Sequence, residues 1–199
     1  MRPILFTWIP KTAGSSLYAL FKQKFGMRLF LDGQYYQFDN KGSVTFGHAS
    51  VKDLIKAKII SQEYWDKALK ITIVRHPYDR FLSLYEDFKR RQRIAPHTTP
   101  HAFAHMLQHM SRNIGMFNAM DYSQCASQVS WLLPGVTILR YETLQEDINE
   151  LFPGQNLELP RENIAPAYHK GYGNDLKNMV YDLYREDYVT LGYQANPDL

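Results

Sequence analysis

The sequence holds one cysteine, Cys125, which excludes an intrachain disulfide and any zinc cluster built on thiolates. So little use of the thiol fits a reducing compartment. Long hydrophobic runs are also missing. Met1-Arg2-Pro3 passes straight into Ile4-Leu5-Phe6-Thr7-Trp8-Ile9, which lacks the form of a signal peptide and is too short to span a bilayer. No later segment reaches spanning length, so the chain reads as cytoplasmic, with no membrane partner. Charge of one sign is scarce too: 23 Lys and Arg against 20 Asp and Glu leave a net charge of only +3. That argues against a nucleic-acid-binding surface, while leaving room for local basic clusters that hold a small polyanion. No repeat, low-complexity tract or Gly/Ser linker divides the chain, and residues 1–199 read as a single domain.

What is present is an ordinary globular composition, 45% hydrophobic and 14% aromatic, enough for a real core. The 14 tyrosines suit a stacking or sugar-binding surface and equally a plain aromatic core. Four apolar runs read as strands: Ile4 to Trp8, Val44 to Phe46, Ile71 to Val74 and Val136 to Leu139. The first, third and fourth are nearly continuous, as strands covered on both faces are. Amphipathic stretches lie between them. Leu17, Leu20 and Phe21 mark a helix from about Ser15, and Phe81, Leu84, Tyr85 and Phe88 mark another after Pro77. Thr99-Pro100 reads as an N-cap and first helical residue before the stripe Phe103, Met106, Leu107, Met110. Further helices are expected over Ser123 to Leu133, Thr143 to Leu151 and Asn174 to Tyr184. The expected fold is α/β: an open, mainly parallel, P-loop-like sheet flanked by helices.

Two segments carry chemistry. Ile9-Pro10-Lys11-Thr12-Ala13-Gly14-Ser15-Ser16-Leu17 joins the first strand to the first helix. Such a junction, rich in small residues, exposes backbone N–H groups where the helix dipole also favours an anion. Gly14 permits close approach, Ser15 and Ser16 add hydroxyls, and Lys11 adds a cation. The order is not that of a Walker A loop, because the lysine precedes the glycine. An ordinary tight turn with an N-capping serine uses the same residues. The second segment, Ile71 through Arg75-His76-Pro77-Tyr78-Asp79-Arg80-Phe81-Leu82-Ser83, is again strand, sharp turn and helix. Arg75 follows the carboxyl end of its strand, where open α/β sheets bind ligands, and Ser83 lies about two helical turns on. An arginine fork with a hydroxyl suits a terminal phosphate. Alternatively, Arg75 caps the sheet by an ion pair and Ser83 faces solvent.

Pro10-Lys11-Thr12-Ala13-Gly14-Ser15-Ser16 resembles the 5′-phosphosulfate loop of sulfotransferases that use 3′-phosphoadenosine 5′-phosphosulfate (PAPS), in particular the "PKTAGTS" of the carbohydrate, uronyl and heparan O-sulfotransferase-like, type. Arg75 through Ser83 resembles the family's 3′-phosphate motif, in which the Arg and Ser bind that phosphate. Leu139-Arg140-Tyr141-Glu142-Thr143-Leu144 resembles a recurrent late strand–helix junction. Tyr184-Arg185-Glu186-Asp187 through Gly192-Tyr193 resembles the C-terminal "Y-x-x-D…GY" helix. The resemblance implies the sulfotransferase fold and in-line displacement at sulfur. By the same resemblance the acceptor would be a hydroxyl compound, a glycan or a small molecule, and the product adenosine 3′,5′-bisphosphate. Lys11 would hold the leaving phosphate oxygen with the N–H groups of Ala13 through Ser16, and no metal is required, since lysine and arginine neutralise the anion. His48 in Gly47-His48 is similar to the proposed base of uronyl O-sulfotransferases, and a strand-end histidine titrates in the range a base needs. A hydrogen-bonded structural histidine is the competing account, and Glu86, Asp87 and Glu142 are rival bases. His76 reads as structural, or as meeting the nucleotide through its backbone. Ala167-Tyr168-His169-Lys170-Gly171-Tyr172-Gly173 resembles the cofactor-covering loop, with Lys170 toward the 3′-phosphate, but departs from the usual "RKG"; a plain surface loop is the alternative.

His97, His101, His105 and His109 recur at four-residue spacing, a pattern that can bind metal. No acidic or cysteine partner accompanies them, and they read instead as a solvent- or acceptor-facing stripe. Lys89-Arg90-Arg91-Gln92-Arg93 complements a helix dipole and could also meet an acidic acceptor. Acceptor contacts are expected from Leu31 to Gly42, where Tyr35, Tyr36 and Phe38 either stack on a sugar or join the core, and from Arg93 to Asp121. Two other functions remain open on the sequence: a non-catalytic protein that binds PAPS or the bisphosphate, and a nucleotide kinase-like phosphoryl transferase.

Overall fold

The computed structural model describes residues 2–112, 120–160 and 172–195. The chain forms two compact units, one of Met1–Val74 with Trp131–Ile164, the other of Arg75–Ser130 with Ala165–Leu199.

The first unit is built on a five-stranded, fully parallel sheet in the order β2-β3-β1-β4-β5. Its strands are β1 (Ile4–Thr7), β2 (Arg28–Leu29), β3 (Val44–Thr45), β4 (Leu69–Val74) and β5 (Thr137–Arg140). Its helices are α1 (Gly14–Phe25), α2 (Val51–Lys56), α3 (Gln62–Lys67) and α6 (Leu144–Leu151). Both sheet faces are covered, which is why β1 reads as an unbroken apolar run. Ile4 and Phe6 pack with Leu17, Phe21, Ile71 and Ile148 on one side, whereas Leu5 packs with Val44, Leu54 and Ile60 on the other. Each such side chain withdrawn from water contributes about 1.5–3 kcal/mol.

Strand order places the chain reversal at β1. From β1 the chain moves outward to β2, returns through β3, then passes to β4 on the other side of β1. The carboxyl ends of β3, β1 and β4 therefore share one edge, at the topological switch point where such sheets bind ligands. An open cleft of about 860 Å³, lined by Arg2, Lys24, Lys41, Tyr64 and Lys67 among others, lies by contrast beside residues that precede these strands, at their amino-terminal ends.

The expected four strands are all present, with ends shifted by a residue or two. β2 went unread because it is two residues long and one of them is charged. Arg28 reaches Asp39 at 2.6 Å from this edge position. β5, expected to be covered on both faces, is the other edge, with Ile138 39% exposed.

The second unit holds α4 (Pro77–Arg90), α5 (Pro100–Arg112), α7 (Asn174–Leu183) and α8 (Arg185–Leu191). Phe81, Leu84, Phe88, Phe103, Leu107, Val180 and Tyr184 form its core. The Ala102 N–H donates to Thr99 Oγ1 at 3.2 Å, the N-cap expected before Pro100.

The helix expected over Ser123 to Leu133 is instead two short 3-10 turns, Met120–Cys125 and Gln128–Trp131. Arg80 is 1% exposed, and its guanidinium takes the carbonyls of Gln124 at 2.8 Å and Ala126 at 3.0 Å. An α-helix would need those acceptors for its own ladder. α6 lies where expected, starting one residue later after a 3-10 turn at Tyr141–Thr143, and Asp147 accepts from the Thr143 hydroxyl and the Arg140 N–H.

Candidate functional site

The segment between β1 and α1 alternates in backbone hand. Lys11 (φ 68°) and Ala13 (φ 69°) are left-handed, whereas Thr12 and Gly14 are not. Alternation of this kind curls successive N–H groups toward one concavity, an anion-binding nest. The nest runs directly into the first turn of α1, where the Ser16 and Leu17 N–H groups donate to the Ala13 carbonyl at 3.1 Å and 3.3 Å. Helix α1 begins at Gly14 with Ala13 as N-cap and no side-chain cap, so the capping serine of the ordinary-turn alternative is absent. Ser15 is exposed and Ser16 buried. Thr12 is fully buried, and its hydroxyl donates to the Ile9 carbonyl at 2.9 Å, which holds the curl in place. Holding two non-glycine residues left-handed costs about 1–2 kcal/mol each.

Trp8, which sequence reasoning passed over, organises the rest of this edge. Its indole packs beside Phe6 and Tyr18, with ring centroids 5.9 Å and 5.8 Å away. A Cβ on Gly14 would fall 2.0 Å from the indole Nε1. The close approach that demands glycine here is therefore the tryptophan ring. Gly14→Ala forces that ring out of its slot and is expected to destabilise the protein by roughly 1–3 kcal/mol. Thermal melting of Gly14→Ala, Trp8→Ala and the double variant checks this. The double variant melts above the additive value if the clash is the cause, and at the additive value if it is not.

Trp8 also touches the histidine. The turn after β3 is closed by the Ala49 N–H to the Phe46 carbonyl at 3.1 Å, with Gly47 at φ 57°, a conformation that favours glycine. It presents His48, exposed, edge-on to the Trp8 ring at 5.5 Å. His48 Nδ1 lies 3.0 Å from the Trp8 carbonyl. A carbonyl only accepts, so Nδ1 carries the proton and the neutral ring keeps its lone pair on Nε2. Lys11, Gly14, Trp8 and His48 all belong to the first unit.

In the second unit, Arg75 is the residue after β4 and is only 8% exposed. Its backbone is gripped by the Gln128 side chain, which accepts from the Arg75 N–H at 2.9 Å and donates to the Arg75 carbonyl at 2.8 Å. Ser83 lies within α4, 7% exposed rather than facing solvent. His76 is the N-cap residue of α4, with Pro77 following as the first helical residue. Its Nε2 donates to the Gln194 carbonyl at 3.1 Å, and its ring meets Tyr188 and Tyr193 edge-on.

Among the rival bases, Asp87 is engaged by Arg90 at 2.5 Å and Arg91 at 2.8 Å, and Glu142 is exposed. The basic run is thus partly internal to the helix end, with Arg93 stacked over Phe88.

Phe38 is buried and Tyr35 packs against the same core, while Tyr36 is 85% exposed. His97, His105 and His109 are exposed and His101 is half-buried, as an outward stripe requires. Lys170 lies outside the described residues, as do residues 113–119 of the expected acceptor segment. Burial pushes the Cys125 thiol up to about 12, which makes it an inert core residue. Among the described residues no group of three or more His, Cys, Asp or Glu is placed to hold a metal ion, and no helix is long and apolar enough to cross a membrane.

An open parallel sheet with a lysine-bearing nest after its central strand has the form in which such sheets bind anions. Among solved structures, the chain is similar to a crystal structure of a sulfotransferase from Alicyclobacillus acidocaldarius. The likeness has a TM-score of 0.58 over 100% of this chain and 98% of that one, at 14% identity, and establishes a shared fold. None of the curated proteins matches the chain. The model of the Sulfotransferase family matches residues 2–194, and the chain belongs to that family. It is accordingly a transferase of sulfuryl groups.

Proposed function

We propose that this protein moves a sulfuryl group from PAPS to a hydroxyl of a glycan or small-molecule acceptor, by in-line displacement and without a metal. The observation that carries the reading is the alternating nest at residues 11–14, with Lys11 within it, on the carboxyl edge of the central strand. Bound there, PAPS would supply a sulfuryl group already activated as a phosphosulfate anhydride.

The residues present fit such a ligand. Lys11 would place its ammonium on the leaving phosphate oxygen, and the N–H groups of Ala13, Gly14 and Ser15 would bind the same anion, that of Ser16 being turned to the Ala13 carbonyl. Pro10 and the buried Thr12 keep the loop in shape. Arg75 and Ser83 would take the 3′-phosphate by a guanidinium fork and a hydroxyl, with Lys170 assigned to the same phosphate by the resemblance. His48 accepts the acceptor's hydroxyl proton at Nε2, while Trp8 holds the other nitrogen protonated. Tyr36, exposed on the 31–42 segment, offers a stacking face to a sugar.

Calorimetric titration with adenosine 3′,5′-bisphosphate, and separately with ATP and magnesium, tests the reading. The bisphosphate is expected to bind the more tightly, and Arg75→Ala to weaken it roughly 100-fold. A preference for ATP would instead point to a phosphoryl transferase. Tight bisphosphate binding without turnover on any acceptor would mark a binding protein.

A further inference from the structure

A buried amide holds the backbone of the strand-end arginine. Gln128 and Asp187 are both 0% exposed. The Gln128 amide matches the Arg75 backbone as a neighbouring strand would, oxygen to N–H and NH₂ to carbonyl, at 2.9 Å and 2.8 Å. Arg75 stands one residue beyond the end of β4, where strand pairing stops supplying those partners. The second amide hydrogen of Gln128 goes to Asp187 Oδ2 at 3.3 Å, so a flipped amide would set two acceptors against each other. Asp187 Oδ1 in turn accepts from the Ser127 hydroxyl at 2.5 Å and the Val129 N–H at 3.1 Å. These five hydrogen bonds close on one arrangement.

A buried carboxylate is costly, and Ser127, Gln128 and Val129 give Asp187 only neutral donors. An apolar residue would fill the same space at lower cost if anchoring α8 were its only task. What the carboxylate adds is direction. It fixes which way the Gln128 amide faces, and the amide fixes the peptide from which the Arg75 side chain projects.

We propose that Gln128, oriented by Asp187, is a positioning residue for Arg75 and thereby sets selectivity for a 3′-phosphate. This rests on the reading of Arg75 as the 3′-phosphate ligand. A fork that must meet phosphate oxygens within about 0.5 Å needs its backbone fixed.

The test compares adenosine 3′,5′-bisphosphate with adenosine 5′-phosphate, which lacks the 3′ group, by calorimetry on the full chain. Gln128→Ala is expected to weaken the bisphosphate about tenfold while leaving adenosine 5′-phosphate unchanged, and Asp187→Asn to act in the same direction. Added to Arg75→Ala, Gln128→Ala is expected to cause no further loss. Should Gln128→Ala fail to fold, Asp187→Asn, which keeps the side chain's shape, carries the comparison. If Arg75→Ala abolishes the preference for the bisphosphate but Gln128→Ala and Asp187→Asn keep it in full, the network is only structural and the inference falls alone. If Arg75→Ala itself keeps the preference, the reading of Arg75 falls with it.

Discussion

Replacing Lys11 with alanine is expected to lower kcat for sulfuryl transfer by roughly 10²–10³-fold, the usual loss when one group stabilising developing charge is removed. The substitution is clean because Lys11 is left-handed at φ 68°. Alanine carries the same Cβ and the same backbone penalty, so the substitution adds no backbone strain to the loop. Affinity for adenosine 3′,5′-bisphosphate is expected to fall far less than kcat, because the charge on the leaving oxygen develops only as the sulfuryl bond breaks. Steady-state kinetics beside calorimetry separates the two. An unchanged kcat would remove Lys11 from the chemistry and leave it an ordinary turn residue.

His48→Ala is expected to lower kcat by about 10²–10⁴-fold with bisphosphate affinity intact, the range for loss of a general base. His48→Gln sharpens the experiment. Glutamine keeps a donor for the Trp8 carbonyl, now 3.0 Å from Nδ1, but brings no basic nitrogen. Both variants are therefore expected to be slow. Should glutamine restore turnover, the histidine serves only to anchor its turn to Trp8. Turnover untouched in both variants would reject the base assignment and leave family membership standing.

The parts of this structure that were legible in the sequence are those whose partners are close in the chain. The nest at 11–14 and the Arg75 turn are each a run of consecutive residues bounded by an apolar strand and an amphipathic helix, so order alone displays them. β1 and β4 announce themselves because two covered faces require unbroken apolar runs. β2 does not, since an edge strand two residues long has almost no pattern to show. The 123–133 segment was misread for a related reason: its helical pattern lost to Arg80, more than 40 residues away, which claims its carbonyls. Gln128 lies 53 residues from Arg75 and 59 from Asp187, and no local signal marks either as its partner. Gly14 was expected to make room for a ligand. The structure shows it making room for Trp8, whose only sequence mark is an aromatic at a strand end.

The two left-handed residues of the nest have a bearing on how such a chain can evolve. Glycine at position 11 or 13 would relieve the backbone and steady the folded state, so selection for robustness alone pushes toward it. At position 11 the same change would discard the ammonium. Under the role proposed for Lys11, heat tolerance and turnover pull in opposite directions at one residue. On that reading a lineage that keeps lysine there spends part of its stability margin on chemistry, and recovers it in cores such as the one around Phe81 and Phe103.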